Sequence, residues 1–512
     1  MSRLLLGIDI GTSGCKVAVF DLDGRVIAQA TKLYPVYYPA PGYAEQDPYL
    51  WWEAVCEAIR EVIQTGKVDV ECIAGIGVDG QSWSAIPVGK NGEVLHRTPI
   101  WMDSRSSDIC TEVAEKVGFE KIFQVSGNSF EPTYSTPKIL WFKKNKPDIY
   151  KNTFKFLQSN SYIIYRLTGI VSQDISQGYG LHCFNMKTGK WENEFCEELG
   201  IEREKLPEIY NCHEIVGEVT DKASEETGLP KGIPVVAGGL DACCGTLGAG
   251  VVQKGQTQEQ GGQAGGMSIC LDEAVAHPKL ILSFHVVPNL WLLQGGTVGG
   301  GGSIKWFKDQ LGAFEENLAK QTGKANVFQI MDEEASSVVP GSEGVIFLPY
   351  MAGERSPIWD KHAKGVFFGL GYDKTRKHMI RAVLEGCAYA LYHNLQTAEE
   401  VGVVVEELIS MGGAANSRLW TQIKADVTGK RIRVPASDTA TTLGAAILAG
   451  VGIGEYKSFD DAVKRTVSIT RVHEPDMQNN EIYKKYYEIY LELYDKLKDT
   501  MAKVDRIRKI QF

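Results

Sequence analysis

The sequence predicts an α/β protein with two similar lobes. Strand-like and helix-like segments alternate over most of its 512 residues, and beyond about residue 251 the order of strand, glycine turn and strand occurs again. The glycine turns follow strands, and in open α/β sheets ligands bind outside the carboxyl ends of the strands. Because a chain of this length does not fold around one hydrophobic core, we expect two domains, residues 1–250 and 251–512, that meet at a hinge.

The first predicted element is the segment LLLGIDIGTSGCKVAVFDLDG, residues 4–24. An apolar strand leads into a glycine turn, and a second strand of β-formers ends at Asp23-Gly24, a dipeptide typical of hairpin turns. The segment lacks the G-x-G-x-x-G of dinucleotide folds and the G-x-x-x-x-G-K-[ST] of P-loops, both of which open a helix. We therefore expect strand, turn, strand, turn and strand here.

The turn in this segment has the residues of an anion site. Gly11 and Gly14 allow unusual backbone angles and close approach of a ligand, so main-chain N–H groups and the hydroxyls of Thr12 and Ser13 can face an anion. A carboxylate such as Asp9 suits this position when a cation such as Mg²⁺ lies between it and the anion. An ordinary hairpin turn with a surface aspartate accounts for the segment equally well.

Five more segments of the first half have a structure that follows from apolar spacing, caps and glycine turns. They are a helix over Leu50–Gln64 that begins at Asp47-Pro48, a buried strand over Ile73–Gly80, a strand over Thr98–Arg105, a helix from Pro137 that ends before Pro147, and a strand, glycine turn and helix over Gly232–Gly250.

The second half shows three more strands that end in glycine turns. They lie in GQTQEQGGQAGGMSICLDE, LLQGGTVGGGGSIKWFKDQLG and ELISMGGAANSRLWTQIKADVTG. The first continues as a second strand, and the other two continue as helices. The C-terminal NNEIYKKYYEIYLELYDKLKDTMAKVDRIRKI has the spacing of one long amphipathic helix or of two.

Composition excludes several classes of protein. The chain has 54 basic and 64 acidic side chains, and its net charge of −10 argues against nucleic acid or an anionic membrane surface as the main partner. No apolar run approaches the length of a membrane span or of a signal peptide. The eleven cysteines are scattered and form no C-x-x-C, which suits reduced thiols and offers no zinc site. We expect a soluble cytoplasmic protein.

Several motifs, taken together and in order, resemble a known family. They are GIDIGTSGCKV, EQDPYLWW, GQSW, WMDSR, PKILW, VVAGGLDACCGTLGAG, FLPYMAGERSP, GVFFGLGYDKTRKHMIRAVLEG and GGAANSRLW. The chain is similar to the FGGY family of carbohydrate kinases, two-lobed members of the actin-like ATPase superfamily, and most similar to its xylulokinase branch. The likeness runs from about Leu4 to about Gly450.

The resemblance implies an actin-like ATPase (ribonuclease H-like) fold, with duplicated βαβ lobes and an interlobe cleft. It makes GIDIGTSG the first phosphate hairpin. Asp9 then helps to place Mg²⁺ through the water shell of the cation, and Thr12, Ser13 and Lys16 lie near the transferred phosphoryl group. These roles agree with the anion and cation expected from the residues themselves.

The resemblance also makes Asp241 the general base. In this family the aspartate of the motif that reads GGLDACCG here removes a proton from the sugar hydroxyl. The local pattern agrees, because Asp241 follows an apolar strand and a Gly-Gly turn. A cap for the helix that follows is the alternative role, and one residue can fill both.

The sugar is expected beside this aspartate and the loop GQSWS. By resemblance Ser82 and Trp83 contact a ketose, and Gln81 can hydrogen-bond a hydroxyl. Trp83 offers a ring face and an indole N–H to a sugar, although a buried core tryptophan is the alternative. Asp103 and Arg105 of WMDSR either close the same pocket or form an internal ion pair.

The nucleotide is expected on the second half of the chain. By resemblance GGQAGG is the second phosphate hairpin, GGGGSIKW lies near the phosphates and ribose, and GGAANS lies near the adenine and its ribose. Helix N-termini after glycine turns favour phosphates through free N–H groups and the helix dipole. The residues assigned to ATP here are Gly262, Gln263, Gly301, Lys305, Gly413 and Ser417.

Three departures from the family pattern fall in or beside the expected site. Gln263 stands where the family has the threonine of a glycine-threonine pair, and Ala242 replaces an asparagine or glutamine that bonds the sugar. Ser82-Trp83 replaces a methionine-histidine pair of the xylulokinase branch. Because lost sugar contacts can change specificity by orders of magnitude, these changes weaken the assignment of one particular sugar.

The resemblance implies an ATP- and Mg²⁺-dependent kinase that converts D-xylulose to D-xylulose 5-phosphate. A kinase for another ketose or polyol is the main alternative. A degenerate homologue that binds sugar or nucleotide and regulates is a second, and a chaperone-like or filament-forming ATPase is a third. By analogy we also expect a homodimer.

Overall fold

The computed structural model describes residues 3–323, 326–436 and 439–511. The strands are β1 (Leu4–Ile10), β2 (Gly14–Asp21), β3 (Val26–Leu33), β4 (Glu45–Gln46), β5 (Ile73–Gly80), β6 (Ile86–Val88), β7 (Thr98–Pro99), β8 (Lys155–Leu157), β9 (Gln173–Asp174), β10 (Phe184–Asn185), β11 (Lys190–Trp191), β12 (Ile209–Tyr210), β13 (Ile215–Glu218), β14 (Pro234–Val236), β15 (Gly239–Leu240), β16 (Gln256–Gly261), β17 (Gly265–Leu271), β18 (Ile281–Phe284), β19 (Trp291–Thr297), β20 (Ile346–Leu348), β21 (Val366–Phe368), β22 (Glu407–Met411), β23 (Arg431–Pro435) and β24 (Ile469–His473).

The helices alternate with these strands. They are α1 (Pro48–Gly66), α2 (Ser107–Val117), α3 (Phe119–Ser126), α4 (Ser135–Asn145), α5 (Pro147–Asn152), α6 (Ser159–Thr168), α7 (Asn193–Leu199), α8 (Asp221–Thr227), α9 (Asp241–Gly248), α10 (Gly301–Leu311), α11 (Ala313–Thr322), α12 (Val327–Ser336), α13 (Arg376–Glu399), α14 (Arg418–Thr428), α15 (Ala440–Gly452), α16 (Phe459–Thr466) and α17 (Met477–Gln511).

The chain forms two compact units, each assembled from three segments. The first contains Met1–Lys254, Cys270–Leu292 and Thr439–Ser468, and the second contains Gly255–Ile269, Leu293–Asp438 and Ile469–Phe512. The domain boundary expected between residues 250 and 251 stays a prediction. The pattern of the sequence does not reveal the two later segments that pack with the first unit.

The sheet of the first unit has the order β13-β14-β5-β1-β2-β3. The predicted sequence of strand, turn, strand, turn and strand at the N-terminus is confirmed, with β1, β2 and β3 as an antiparallel meander. Gly24 has φ +77°, which is the left-handed conformation that the second turn requires of a glycine. β5 lies parallel to β1 on its other side, so the carboxyl ends of β1 and β5 are neighbours.

The helix expected over Leu50–Gln64 is α1, and its predicted cap is confirmed. The Asp47 side chain accepts a hydrogen bond from the N–H of Tyr49, and Pro48 is the first residue of the helix. Residues spaced by three and four positions, Trp51, Val55, Ile59 and Val62, are buried, as an amphipathic helix that covers a sheet requires.

Two other local predictions need correction. The strand expected over Thr98–Arg105 ends after Pro99, because the chain turns directly afterwards: the N–H of Asp103 donates to the Ile100 carbonyl at 2.9 Å. The helix expected from Pro137 begins two residues earlier, at Ser135, and ends before Pro147 as predicted.

The C-terminal pattern forms one helix, α17. Among the described residues no helix has both the length and the apolarity needed to cross a membrane.

Helix α15 packs on β1, β5 and α9 through glycines. An added Cβ on Gly77 would lie 1.9 Å from the carbonyl oxygen of Ala445, and one on Gly444 would lie 1.9 Å from that of Cys244. Main chain therefore contacts main chain at these positions, which no other residue type permits.

We expect Gly444→Ala to destabilise the first unit by about 3 kcal/mol or more, because neither backbone can move away from the added methyl group without disturbing a buried helix. Thermal unfolding followed by circular dichroism measures the effect. Gly413→Ala is the control, since a Cβ there would have no atom within 4 Å. Equal midpoints for the two variants would contradict the close packing of α15.

The sheet of the second unit contains the path β17-β16-β22-β23-β24. β16 and β17 form the antiparallel hairpin expected for GQTQEQGGQAGGMSICLDE, with Gly261 opposite Gly265, and β22 lies parallel to β16. Helix α14 follows β22 after a short 3-10 turn over Gly413–Asn416. The glycine turns in GGQAGG and GGAANS therefore follow the neighbouring carboxyl ends of β16 and β22.

Candidate active site

Three aspartates lie at neighbouring strand ends in the first unit. Asp9 on β1 is in register with Asp79 on β5, and Asp79 is also in register with Gly239 on β15. Asp241 is the first residue of α9, two residues beyond Gly239. Asp9 and Asp241 keep some accessible surface, whereas Asp79 is fully buried. Sequence reasoning missed Asp79 because it stands at the end of an apolar run and belongs to no motif that was singled out.

The three carboxyl groups repel each other's charge. Burial raises the pKa of Asp9 to about 6, while a hydrogen bond with Asp79 and the Lys16 ammonium oppose that rise. Burial, and then the charges of Asp9 and Asp241, raise the pKa of Asp79 well above its usual value. Burial and the charge of Asp9 raise the pKa of Asp241 to about 7, which suits a group that takes up a proton near neutrality.

Asp241 is not the cap residue of α9. The capping position is Leu240, and the Asp241 carboxylate accepts one hydrogen bond, of 2.7 Å, from the main-chain N–H of the next residue, Ala242. The carboxylate therefore supports the first turn of the helix without serving as its cap. Its role as general base stays a prediction.

The first hairpin turn is held by a network of side chains. The Trp101 indole donates to Thr12 Oγ1 at 2.9 Å, and Gln46 Nε2 donates to the Thr12 carbonyl at 2.7 Å. Gln81 Nε2 in turn donates to Gln46 Oε1 at 2.7 Å. Gln81 is 1% exposed, so its amide ties the GQSWS loop to the hairpin. Its predicted contact with the sugar stays a prediction.

The remaining predicted residues of the hairpin face outward or towards Asp9. Ser13 is exposed at the turn, and its carbonyl accepts the N–H of Tyr34. Lys16 lies opposite Asp9 in the β1–β2 register, where its charge lowers the pKa of that carboxyl. Both roles towards a phosphoryl group stay predictions.

Trp83 lies in a group of aromatic side chains. Its ring is 4.2 Å from that of Tyr134 and 5.5 Å from that of Tyr179, and the Tyr179 hydroxyl donates to Ser82 Oγ at 2.8 Å. Trp83 is partly accessible, unlike the buried core tryptophan of the alternative reading. Its indole Nε1 is buried and has no hydrogen-bond partner among the described residues.

Lys138 fixes the main chain of Trp83. Its Nζ donates to the Trp83 carbonyl at 2.9 Å and to the Ile100 carbonyl at 2.7 Å. Trp83 has φ +59°, a left-handed conformation that costs a non-glycine residue free energy and needs such support. Lys138 is fully buried, and burial lowers its pKa to about 7. The sequence offers one signal for this residue: Lys138 stands among apolar residues in the motif PKILW, which indicates a buried lysine. Sequence reasoning missed its role.

Asp103 and Arg105 form the internal ion pair that was one of two alternatives. Arg105 Nη2 lies 2.7 Å from Asp103 Oδ2 and 2.8 Å from Glu45 Oε1, and the guanidinium stacks on the Tyr43 ring at 4.0 Å. The Asp103 and Arg105 side chains are at most 1% exposed. The two charges therefore pair with each other and with Glu45, and so stabilise the fold of this region instead of contacting a ligand.

In the second unit the turn of the β16–β17 hairpin rests on the N-terminus of α10. The N–H of Gly301 donates to the Gly262 carbonyl at 2.7 Å, and the N–H of Gly302 donates to the Gln263 carbonyl at 2.8 Å. An added Cβ on Gly301 would lie 2.6 Å from the Gly262 oxygen. These glycines therefore permit close packing of helix and hairpin, and two N–H groups of the helix are already used.

All six residues predicted to bind ATP in the second half line one cavity of about 530 Å³, a size within the range of small-molecule sites. Ser417 caps α14 by accepting the N–H of Trp420 at 2.9 Å, and it also hydrogen-bonds Asp332. Lys305 forms an ion pair with Asp309. The predicted residues that share the cavity are Gly262, Gln263, Gly301, Lys305, Gly413 and Ser417.

Asp332 is the acidic residue in the described lining of this cavity, and sequence reasoning missed it. It lines the cavity on α12, and burial raises its pKa while the Ser417 hydroxyl opposes the rise. Nothing in the pattern around it marks a ligand site, since it stands in an ordinary amphipathic helix.

No group of three or more His, Cys, Asp or Glu side chains in the described part of the chain is arranged to hold a metal ion. A cation at the Asp9 end of β1 would therefore take most of its ligands from water or from a bound anion.

The chain is similar to proteins of a known family over nearly its whole length. The family models for the N-terminal and C-terminal domains of the FGGY family of carbohydrate kinases match residues 4–248 and 272–453. A xylulose kinase of Staphylococcus epidermidis is 30% identical over 504 residues, 98% of each chain. A gluconokinase of Bacillus licheniformis is 28% identical over 506 residues, again 98% of each chain.

The fold has close relatives of known structure. The ligand-bound xylulose kinase from Lactobacillus acidophilus superposes with a TM-score of 0.89 at 26% identity, over 98% of this chain and all of that one. The predicted α/β fold class of the actin-like ATPases is confirmed by this match.

Proposed function

Because the chain belongs to the FGGY family of carbohydrate kinases and is an ATP-dependent sugar kinase, we propose that it phosphorylates the primary hydroxyl of D-xylulose, with Asp241 as general base. The observation that carries this proposal is the placement of Asp241 directly after β15, partly accessible and close enough to Asp9 for the two charges to interact. Xylulose is chosen because relatives named xylulose kinase cover nearly the whole chain.

In the proposed reaction the phosphoryl group passes directly from ATP to the sugar, and the protein forms no covalent bond with either. The proton of the sugar hydroxyl passes to an Asp241 carboxylate oxygen while the hydroxyl oxygen attacks the γ-phosphorus of ATP and ADP leaves. Most of the rate enhancement in such transfers comes from positioning and from stabilisation of charge. A positioned base adds about 10²–10⁴-fold.

On the sugar side the proposal uses the Ser82–Trp83 loop. The indole N–H of Trp83 has no protein partner in the described structure and can donate to a hydroxyl, while its ring face suits the C–H side of a sugar. Lys138 holds this loop in place through the Trp83 carbonyl.

On the nucleotide side the proposal uses the cavity of the second unit, with Lys305 and the glycine turns towards the phosphates and Ser417 towards the nucleoside. Gln263 is exposed at the tip of the second hairpin, where its amide N–H can replace the hydroxyl donor of the usual threonine.

Mg²⁺ fits the first hairpin by the chemistry of its donors. The Asp9 carboxylate is partly accessible at the end of β1, and the charge of Asp79 beside it disfavours an ionised pair without a cation. Asp9 would hold the ion through water, with Thr12 and Ser13 towards the phosphate. When bound, Mg²⁺ supplies positive charge that neutralises the phosphate oxygens.

A gluconate kinase is the second candidate, because a relative of that name covers the same length of chain at nearly the same identity. Other ketoses and polyols are further candidate substrates, because Ala242 and Ser82-Trp83 depart from the residues that usually contact the sugar.

The test is coupled ADP release with Mg-ATP across D-xylulose, other ketopentoses, ketohexoses, heptuloses, polyols and gluconate. We expect the highest kcat/KM on D-xylulose. A higher value on gluconate or another sugar would replace the proposed substrate. Turnover on none, with nucleotide binding intact, would favour a regulatory homologue, and turnover without any acceptor would favour a nonsugar ATPase.

A further inference from the structure

We propose that Asp79 is a second carboxylate that, together with Asp9, holds the hydrated divalent cation of the bound nucleotide. This inference rests on the proposed function, which brings Mg²⁺ to the first hairpin but assigns it to Asp9 alone. It concerns a residue that the sequence motifs did not include.

Strand register places the two carboxyl groups together. Asp9 and Asp79 are paired positions on the parallel strands β1 and β5, so both side chains leave the sheet on the same face. The two side chains are within hydrogen-bonding reach of each other. Asp79 is also paired with Gly239 on β15, the strand that leads to Asp241. Asp79 therefore lies between the proposed cation residue and the proposed base.

Asp79 lacks the partners that a structural aspartate has. It is 0% exposed, and neither of its carboxylate oxygens accepts a hydrogen bond from an amide, a hydroxyl or an ammonium group in the described structure, so the Asp9 carboxyl is its one hydrogen-bonding neighbour there. Its neighbours with charge are Asp9 and Asp241, both acidic. An ionised carboxylate in such surroundings is unfavourable unless a cation is present.

Asp174, in the same unit, shows the contrast. It is equally buried, but its carboxylate accepts hydrogen bonds from the Ser176 hydroxyl at 2.5 Å, the Asn160 amide at 2.8 Å and the Gln177 N–H at 3.0 Å. Those bonds account for a buried aspartate as part of the fold. No comparable set accounts for Asp79, and that difference points to a ligand.

The donor set selects the kind of ligand. Two carboxylates suit a hard divalent cation such as Mg²⁺ or Mn²⁺. Because no third carboxyl group of the described residues completes a metal cage, the cation keeps water and phosphate oxygens as its other ligands.

The test measures binding of Mn²⁺ to the full chain in the presence of ADP, by the electron paramagnetic resonance signal of free Mn²⁺. We expect Asp79→Asn to weaken Mn²⁺ binding by about 10- to 100-fold. Asp21→Asn is the matched control, since it removes one carboxylate from the opposite end of β2 in the same sheet, and it should bind Mn²⁺ as the unchanged protein does.

Unchanged Mn²⁺ binding by a folded Asp79→Asn variant would overturn the proposal, even if the protein phosphorylates sugar normally. Should that variant fail to fold, Asp79→Ser serves in its place under the same criterion. A protein that turns over no sugar and binds no Mn²⁺ with ADP would refute the proposed function itself. The two failures are therefore distinguishable.

Discussion

Asp241→Asn should lower kcat by about 10²–10⁴-fold, because an amide has the shape of the carboxyl group but cannot accept the proton of the sugar hydroxyl. KM for ATP should stay unchanged, since Asp241 is not among the residues predicted to bind ATP: six of those line the cavity of the second unit, and Thr12, Ser13 and Lys16 lie on the first hairpin. Steady-state ADP release measures both constants. Asp21→Asn, on the same sheet and far along β2, controls for the loss of one charge.

The pH dependence of the unchanged protein gives an independent check on this residue. Burial and the charge of Asp9 raise the pKa of Asp241 to about 7, and only the ionised carboxylate can act as a base. We therefore expect kcat/KM for the sugar to rise with pH and to level off above about 7. A flat profile from pH 5 to 9, or an Asp241→Asn variant with nearly full activity, would exclude Asp241 as the base.

Lys424→Met should destabilise the second unit by about 3–5 kcal/mol, because it leaves a buried carboxylate without its counter-ion. Lys424 Nζ on α14 lies 2.6 Å from Glu259 Oε1 on β16, and both side chains are 4% exposed. The Ser410 hydroxyl donates to the other oxygen of Glu259. The pair stands behind the turn of the β16–β17 hairpin, since a Cβ on Gly261 would lie 3.2 Å from Lys424 Nζ.

Replacing both partners should restore most of that stability. In Glu259→Gln with Lys424→Met no buried charge remains, and buried ion pairs exchanged for neutral groups are often neutral in their effect. Urea denaturation of the two single variants and the double variant gives the coupling. Lys484→Met, which removes an exposed partner of Glu481, is the control and should leave the midpoint unchanged. A double variant less stable than Lys424→Met would contradict this account.

The sequence by itself determined the elements whose signals are local. Apolar spacing and the Asp47 cap predicted α1, the Asp23-Gly24 turn predicted the first meander, and Pro147 marked the end of α4. Ordered motifs predicted the family, and they also named six residues that now line one cavity. The predictions of α1, of the meander and of the end of α4 were confirmed because caps, turns and amphipathic periods depend on residues a few positions apart.

Only the tertiary structure decided which distant residues meet. The register of β5 with β1 places Asp79 next to Asp9. Lys138 donates a hydrogen bond to the carbonyl of Trp83, which is 55 positions away in sequence. Helix α15 joined the first unit through glycine contacts that no local pattern contains. Strand register and packing join residues that are far apart in the chain, and a single sequence carries no direct record of those pairings. The network around the proposed site therefore became visible only in the folded chain.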